Sequence, residues 1–132
     1  MEPADARHPL AEQAASRPVT NAHSIWELVL HISAWERACL RRLHGDRAQL
    51  TDEEDWPPIS NTSQQAWEET KLTLRLGNDE LRKAIAKLED SMLDLPVMKD
   101  MSSFYVTLHG IIQHDLYHAG QIAILKKALS ED

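Results

Sequence analysis

The chain is predicted to be all-α, a bundle of helices around one hydrophobic core. Apolar residues recur at intervals of three and four over three long stretches, the period of an amphipathic helix. Proline falls only between those stretches, where it does not break a helix. No segment alternates apolar and polar residues as a half-buried strand does, and no internal repeat is visible. The length of 132 residues fits one domain, residues 1–132.

The first element is weak: Pro9 to Arg17 allows about two helical turns before Pro18 stops it. Ser24-Ile25-Trp26-Glu27 is a capping box, with Ser24 as N-cap and Glu27 reaching back to it. A helix is expected from there to about Leu43, ending at Gly45 in the C′ position. Its apolar stripe is Ile25, Val29, Ile32, Cys39 and Leu43, widened by Leu28 and Trp35, with His31 at the flank. Residues 46 to 60 read as loop, acidic at Asp52-Glu53-Glu54-Asp55 and closed by Trp56-Pro57-Pro58. So long a connection lets the helices on either side run parallel. The next helix spans about residues 62 to 89, with Trp67, Leu74, Leu81 and Leu88 at sevens and a possible kink at Gly77-Asn78. Another loop, with Pro96, covers residues 91 to 102. The last helix runs to near the C-terminus, where Lys126 and Lys127 suit the helix dipole.

Composition excludes several functions. A net charge of −7 leaves no nucleic-acid footprint, since the one basic cluster, Arg37, Arg41 and Arg42, is balanced elsewhere. Cys39 is the sole cysteine, so no intrachain disulfide forms and a reducing compartment is expected. Its place in an apolar helical pattern reads as a packed thiol. The first five residues carry no signal pattern, and no apolar run approaches the roughly 20 residues of a membrane span. The expectation is a cytoplasmic protein without membrane or nucleic-acid partners.

The chemistry lies in the last helix. His114 and His118 are one turn apart and share a stripe with Thr107, Ile111, Gln121, Ile122 and Leu125, so both rings face inward. A buried imidazole must donate, accept or coordinate at each nitrogen. Seven histidines in the chain make one such pair unsurprising by chance, and backbone carbonyls or waters would also satisfy it. The glutamate of the His-Glu-x-x-His metalloprotease motif is missing. Asp115 stands in its place, pointing about 100° from His114. A third ligand must come from elsewhere, and His31 is the best candidate because it lies mid-helix beside an apolar stripe. His8, His23, His44 and His109 read as solvated or cap-related.

The stretch from Ser24 through His31 to Glu36, then Asp55-Trp56-Pro57-Pro58, then Leu108-His109-Gly110-Ile111-Ile112-Gln113-His114-Asp115-Leu116-Tyr117-His118-Ala119-Gly120-Gln121-Ile122, resembles the DinB/YfiT-like superfamily from about residue 9 onward. That resemblance implies a four-helix bundle with a long crossover between parallel second and third helices. It also implies a divalent metal on three histidines, here His31, His114 and His118. A full first helix precedes Ala11-Glu12-Gln13-Ala14-Ala15 in the family, and here it is shortened. Its loss would widen the pocket, expose apolar surface, or be made good by homodimerisation.

Three imidazoles leave an open metal position, and Zn²⁺ or Ni²⁺ suits nitrogen donors better than Mn²⁺ or Fe²⁺. Such a site can activate water or orient a thiolate. The family resemblance implies a thiol-dependent S-transferase, using a low-molecular-weight thiol, or a hydrolase acting on small molecules. A non-catalytic, dimeric metal- or ligand-binding bundle is the alternative. Gln121 and Tyr117 are placed to orient a ligand or a bound water, although Gln121 reads equally well as an interhelical core hydrogen bond. Trp35 reads first as a core tryptophan and second as a pocket wall, and Glu27, one turn before His31, is placed to assist if its capping duty allows.

Overall fold

The computed structural model describes residues 8–130; residues 1 to 5, read above for a targeting signal, lie outside them. Five α-helices follow in order: α1 Ala11–Ala15, α2 Ile25–Leu43, α3 Asp52–Asp55, α4 Gln64–Ala86 and α5 Phe104–Ser130. The described residues form no named strand; a lone bridge joins Pro96 to Ser103. No helix among them is long and apolar enough to cross a membrane.

The capping box starts α2 as expected. The Glu27 N–H donates to Ser24 Oγ at 3.1 Å, and Glu27 Oε1 accepts from the Ser24 N–H at 2.9 Å. Gly45, at φ 90°, takes the left-handed conformation that ends the helix. Two expectations are corrected by local chemistry. Residues 46 to 60 are not wholly irregular, because Thr51 caps the one-turn helix α3 and its four acidic residues sit at a favourable helix N-terminus. Leu88 falls beyond α4, which closes at Ala86 with Lys87 as C-cap, while Gly77 and Asn78 stay within the continuous helix.

α2 is the central helix. Trp26 meets Trp67 and Thr70, and further along Glu36 meets Asn78, so α2 and α4 run parallel. Against α5 the pairings run in reverse: His31 with His118, then Trp35 with His114. The long crossover has room to return α4 in register with α2, as parallel packing requires.

Two core clusters hold the helices. Ala11, Ala14, Ile25, Trp26, Leu28, Val29, Trp67 and Leu125 form one; Cys39, Leu81 and Ile111 form the other. The Trp26 and Trp67 rings sit 5.2 Å apart, and their N–H groups reach Thr70 Oγ1 and the Pro9 carbonyl. α1 is pinned by the Ala11 N–H donating to Gln64 Oε1 at 2.8 Å. The far side of α5 is uncovered: Tyr105, Ile112, Leu116 and Ile124 are exposed.

Candidate metal centre

The antiparallel crossing of α2 and α5 brings His31 against His114 and His118. One ring nitrogen from each lies within 4.8 Å of the others. His31 and His118 are buried and His114 is half-buried. The Nε2 atoms of His31 and His114 stand 3.0 Å apart. Three nitrogens about 2.1 Å from a tetrahedral metal would be ~3.4 Å from one another, so the spacing suits one ion.

The outer nitrogens are each engaged. His31 Nδ1 donates to the Asp55 carbonyl at 2.7 Å and lies 3.1 Å from its carboxylate. His114 Nδ1 faces Asp115 Oδ1 at 3.1 Å, and His118 Nδ1 faces Gln121 Oε1 at 2.6 Å. Acceptors at every Nδ1 place the proton there and leave each Nε2 lone pair free. Two bare lone pairs 3.0 Å apart repel, and a cation or a shared proton between them removes that repulsion.

Electrostatics favours neutral rings at His31 and His114. Burial lowers the pKa of His31, and the nearby His114 and His118 lower it further, against the raising effect of Asp55. Burial, then His118, lowers that of His114. Desolvation and like charge both disfavour imidazolium, and neutral imidazole is the form that ligates a metal.

The crossover loop supplies contacts that helical periodicity did not predict. The Trp56 ring is sandwiched between His31 and His23, each 3.7 Å away and nearly parallel to it. His23 is thus not merely solvated. Trp35 Nε1 donates to Asp55 Oδ1 at 2.6 Å, tying the carboxylate that steadies His31. The Asp-Trp-Pro-Pro stretch was the only sequence signal of this arrangement.

Asp115 needs correction too: its carboxylate turns onto the outer nitrogen of His114 despite the 100° offset of the two positions. Asp115 also shares a side-chain hydrogen bond with Glu36 of α2, and Asn78 of α4 donates to Glu36 Oε1 at 3.0 Å. Burial and that carboxyl partner push Glu36 up to about 7, and burial raises Asp115 as well. Both shifts favour a proton on this pair, which touches His114 through Asp115.

The remaining candidates separate. Gln121 supports His118 directly. Tyr117 is exposed, with its ring edge-on to His118 at 5.2 Å. Trp35 walls the larger of two cavities. Glu27 is occupied by the cap, by Arg17 at 2.6 Å and by His23 at 3.2 Å. Burial works against its charge, yet those bonds together hold it down to about 2, as a carboxylate engaged by the cap, Arg17 and His23. Cys39 is buried, and burial pushes its thiol up to about 11, which fits packing rather than nucleophilic attack. His44 caps α2 through the Leu40 carbonyl, and His109 lies exposed against Tyr105.

Two cavities open on the cluster from different sides. One, of about 680 Å³, is bounded by His31, His114, Trp35 and Asp55; the other, of about 490 Å³, by His118, Gln121, Tyr117, His23 and Trp56. A family model described as the DinB superfamily matches residues 7–122. No curated protein and no solved structure gives a significant match. With most of its length under that match, and with the all-α architecture in place, the chain belongs to the DinB superfamily.

Proposed function

We propose that the protein is a divalent-metal-dependent enzyme whose site is His31, His114 and His118, acting on small molecules by thiol-dependent S-transfer. The carrying observation is the convergence of three ring nitrogens whose partner nitrogens are already engaged. Zn²⁺ or Ni²⁺ suits this all-nitrogen set, with Mn²⁺ or Fe²⁺ less favoured by affinity. Bound there, such an ion would supply a Lewis acid with at least one open position.

The chain's own residues do the rest. Asp55, Asp115 and Gln121 fix the ring tautomers, and Trp56 and Trp35 shield the His31 side from water. The two cavities support transfer over hydrolysis, since a low-molecular-weight thiol and its acceptor can approach the cluster from separate sides. Hydrolysis is the second reading, with water in place of the thiol. The non-catalytic alternative is a metal- or ligand-binding bundle that dimerises. Pairing of two chains through the exposed side of α5 is part of either reading, supported by the apolar surface around Ile112, Leu116 and Ile124.

The test is metal content after purification without nickel affinity, followed by conjugation of model electrophiles with thiols. We expect about one ion per chain after Zn²⁺ or Ni²⁺ incubation, and thiol conjugation that His118→Ala abolishes. Less than about a tenth of an ion per chain would defeat the metal reading. Conjugation unchanged in His118→Ala would place the chemistry elsewhere.

A further inference from the structure

The larger cavity carries a cation that the three histidines do not explain. α2 turns His31, Trp35, Cys39 and Arg42 toward this space, at successive helical intervals of three or four. The Arg42 side chain folds back along the helix, so that its Cζ lies 5.4 Å from the Trp35 ring centroid. The Trp35 ring in turn lies 5.9 Å from that of His114. The guanidinium therefore stands one indole away from the histidine cluster.

Two hydrogen bonds fix it there: Nε donates to the Arg47 carbonyl at 3.0 Å, and Nη2 to the Ala48 carbonyl at 3.3 Å. A guanidinium has five N–H donors, so these bonds leave several unused. Among the described residues no carboxylate forms an ion pair with Arg42. Asp55, which also lines the cavity, has its Oδ1 engaged by Trp35 and close to His31. Asp100, the other acidic lining residue, is exposed. Val106 and Ile111 add apolar wall beside Trp35. A half-buried cation held in place without a counter-charge is ready to receive an anion, and Arg does so bidentately.

We propose that this cavity binds a two-ended small molecule. One end carries a donor atom that reaches the histidine cluster; the other carries a carboxylate that pairs with Arg42, with a short apolar body against Trp35 and Val106. The inference rests on the three-histidine metal reading and adds the substrate class to it. Arg42 is a binding residue here, not a catalytic one.

Cobalt-loaded protein provides the test, because thiolate coordination to Co²⁺ gives a charge-transfer band independent of turnover. Titration with mercaptohexanoate and its neutral counterpart mercaptohexanol compares equal chains that differ in the far end. We expect the acid to bind at least about tenfold more tightly, and Arg42→Gln to reduce that preference to within about twofold. Affinity for Co²⁺ and for mercaptohexanol should be unchanged. Arg42→Lys, which keeps the charge without the fork, should retain part of the preference and guards against loss of folding in the first variant. Equal binding of the two thiols, or a preference that survives Arg42→Gln, would overturn the assignment and leave the metal site standing. Failure of Co²⁺ to bind at all would overturn both.

Discussion

His31 and His114 meet across the α2–α5 crossing with their Nε2 atoms 3.0 Å apart, although 83 positions separate them in the chain. Both outer nitrogens face acceptors, so the two inner lone pairs converge on one point. That relationship gives the cluster a geometry that could hold a cation.

Metal should stabilise the fold, because the three donors converge only in the native state. At a free Zn²⁺ concentration of about 100 times Kd, linkage predicts ~2.7 kcal/mol of added stability. Thermal unfolding with and without Zn²⁺ measures this. His31→Ala should remove the metal-dependent shift in Tm.

The supporting groups should matter nearly as much as the ligands. Gln121→Ala removes the acceptor of the His118 Nδ1–H, freeing the ring to turn and change tautomer. A loss of about 10- to 100-fold in Zn²⁺ affinity is expected, measured by competition with a chromogenic chelator. An unchanged affinity would mean that packing alone orients His118.

The pair of buried Glu36 and half-buried Asp115 gives stability a distinctive pH dependence. Glu36 is raised from its ordinary 4.5 to about 7, so it binds its proton more tightly folded than unfolded. Its contribution is complete below 4.5 and is lost as pH rises through about 7. His31 and His114 act oppositely: their lowered values make neutral rings favourable, and that contribution fades as pH falls below the ordinary 6.5. In metal-free protein the Glu36 contribution therefore falls between about pH 4.5 and pH 7 while that of the histidines rises, and Glu36→Gln should make stability climb more steeply with pH over that range than in the parent. Chemical denaturation across this range decides it. Glu36→Ala should cost roughly 2–3 kcal/mol by leaving Asn78 and Asp115 without their partner.

The capping box at the start of α2 is testable without any metal. Ser24→Ala removes the Oγ that accepts the Glu27 N–H and should cost about 1 kcal/mol in urea unfolding. His31 lies two turns further along, so Zn²⁺ stoichiometry should remain as in the parent protein.

Self-association should depend on the outer side of α5. Leu116, 68% exposed, has Ile112, Gln113, Ala119 and Gly120 one helical turn away on α5. Light scattering at micromolar concentration should report a dimer, and Leu116→Lys should give a monomer by placing a charge in the pairing surface. A parent protein that is monomeric with an intact cooperative transition would remove the dimer from the proposal.

The sequence by itself determined the three long helices, the Ser24 cap, the Gly45 stop and the inward stripe of His114, His118 and Gln121. Those follow from local chemistry and from the helical period, which act within a few residues. The third histidine was readable only as a candidate from its place on α2, with the family resemblance adding to it. Tertiary structure alone decided that Asp55 and Trp56 fold back over His31, that Glu36, Asn78 and Asp115 join three helices, and that Arg42 points along Trp35 toward the cluster. Such contacts depend on how helices cross and where a long loop returns. Periodicity tells which side of a helix is apolar; only the packing of the helices decides which residue stands opposite.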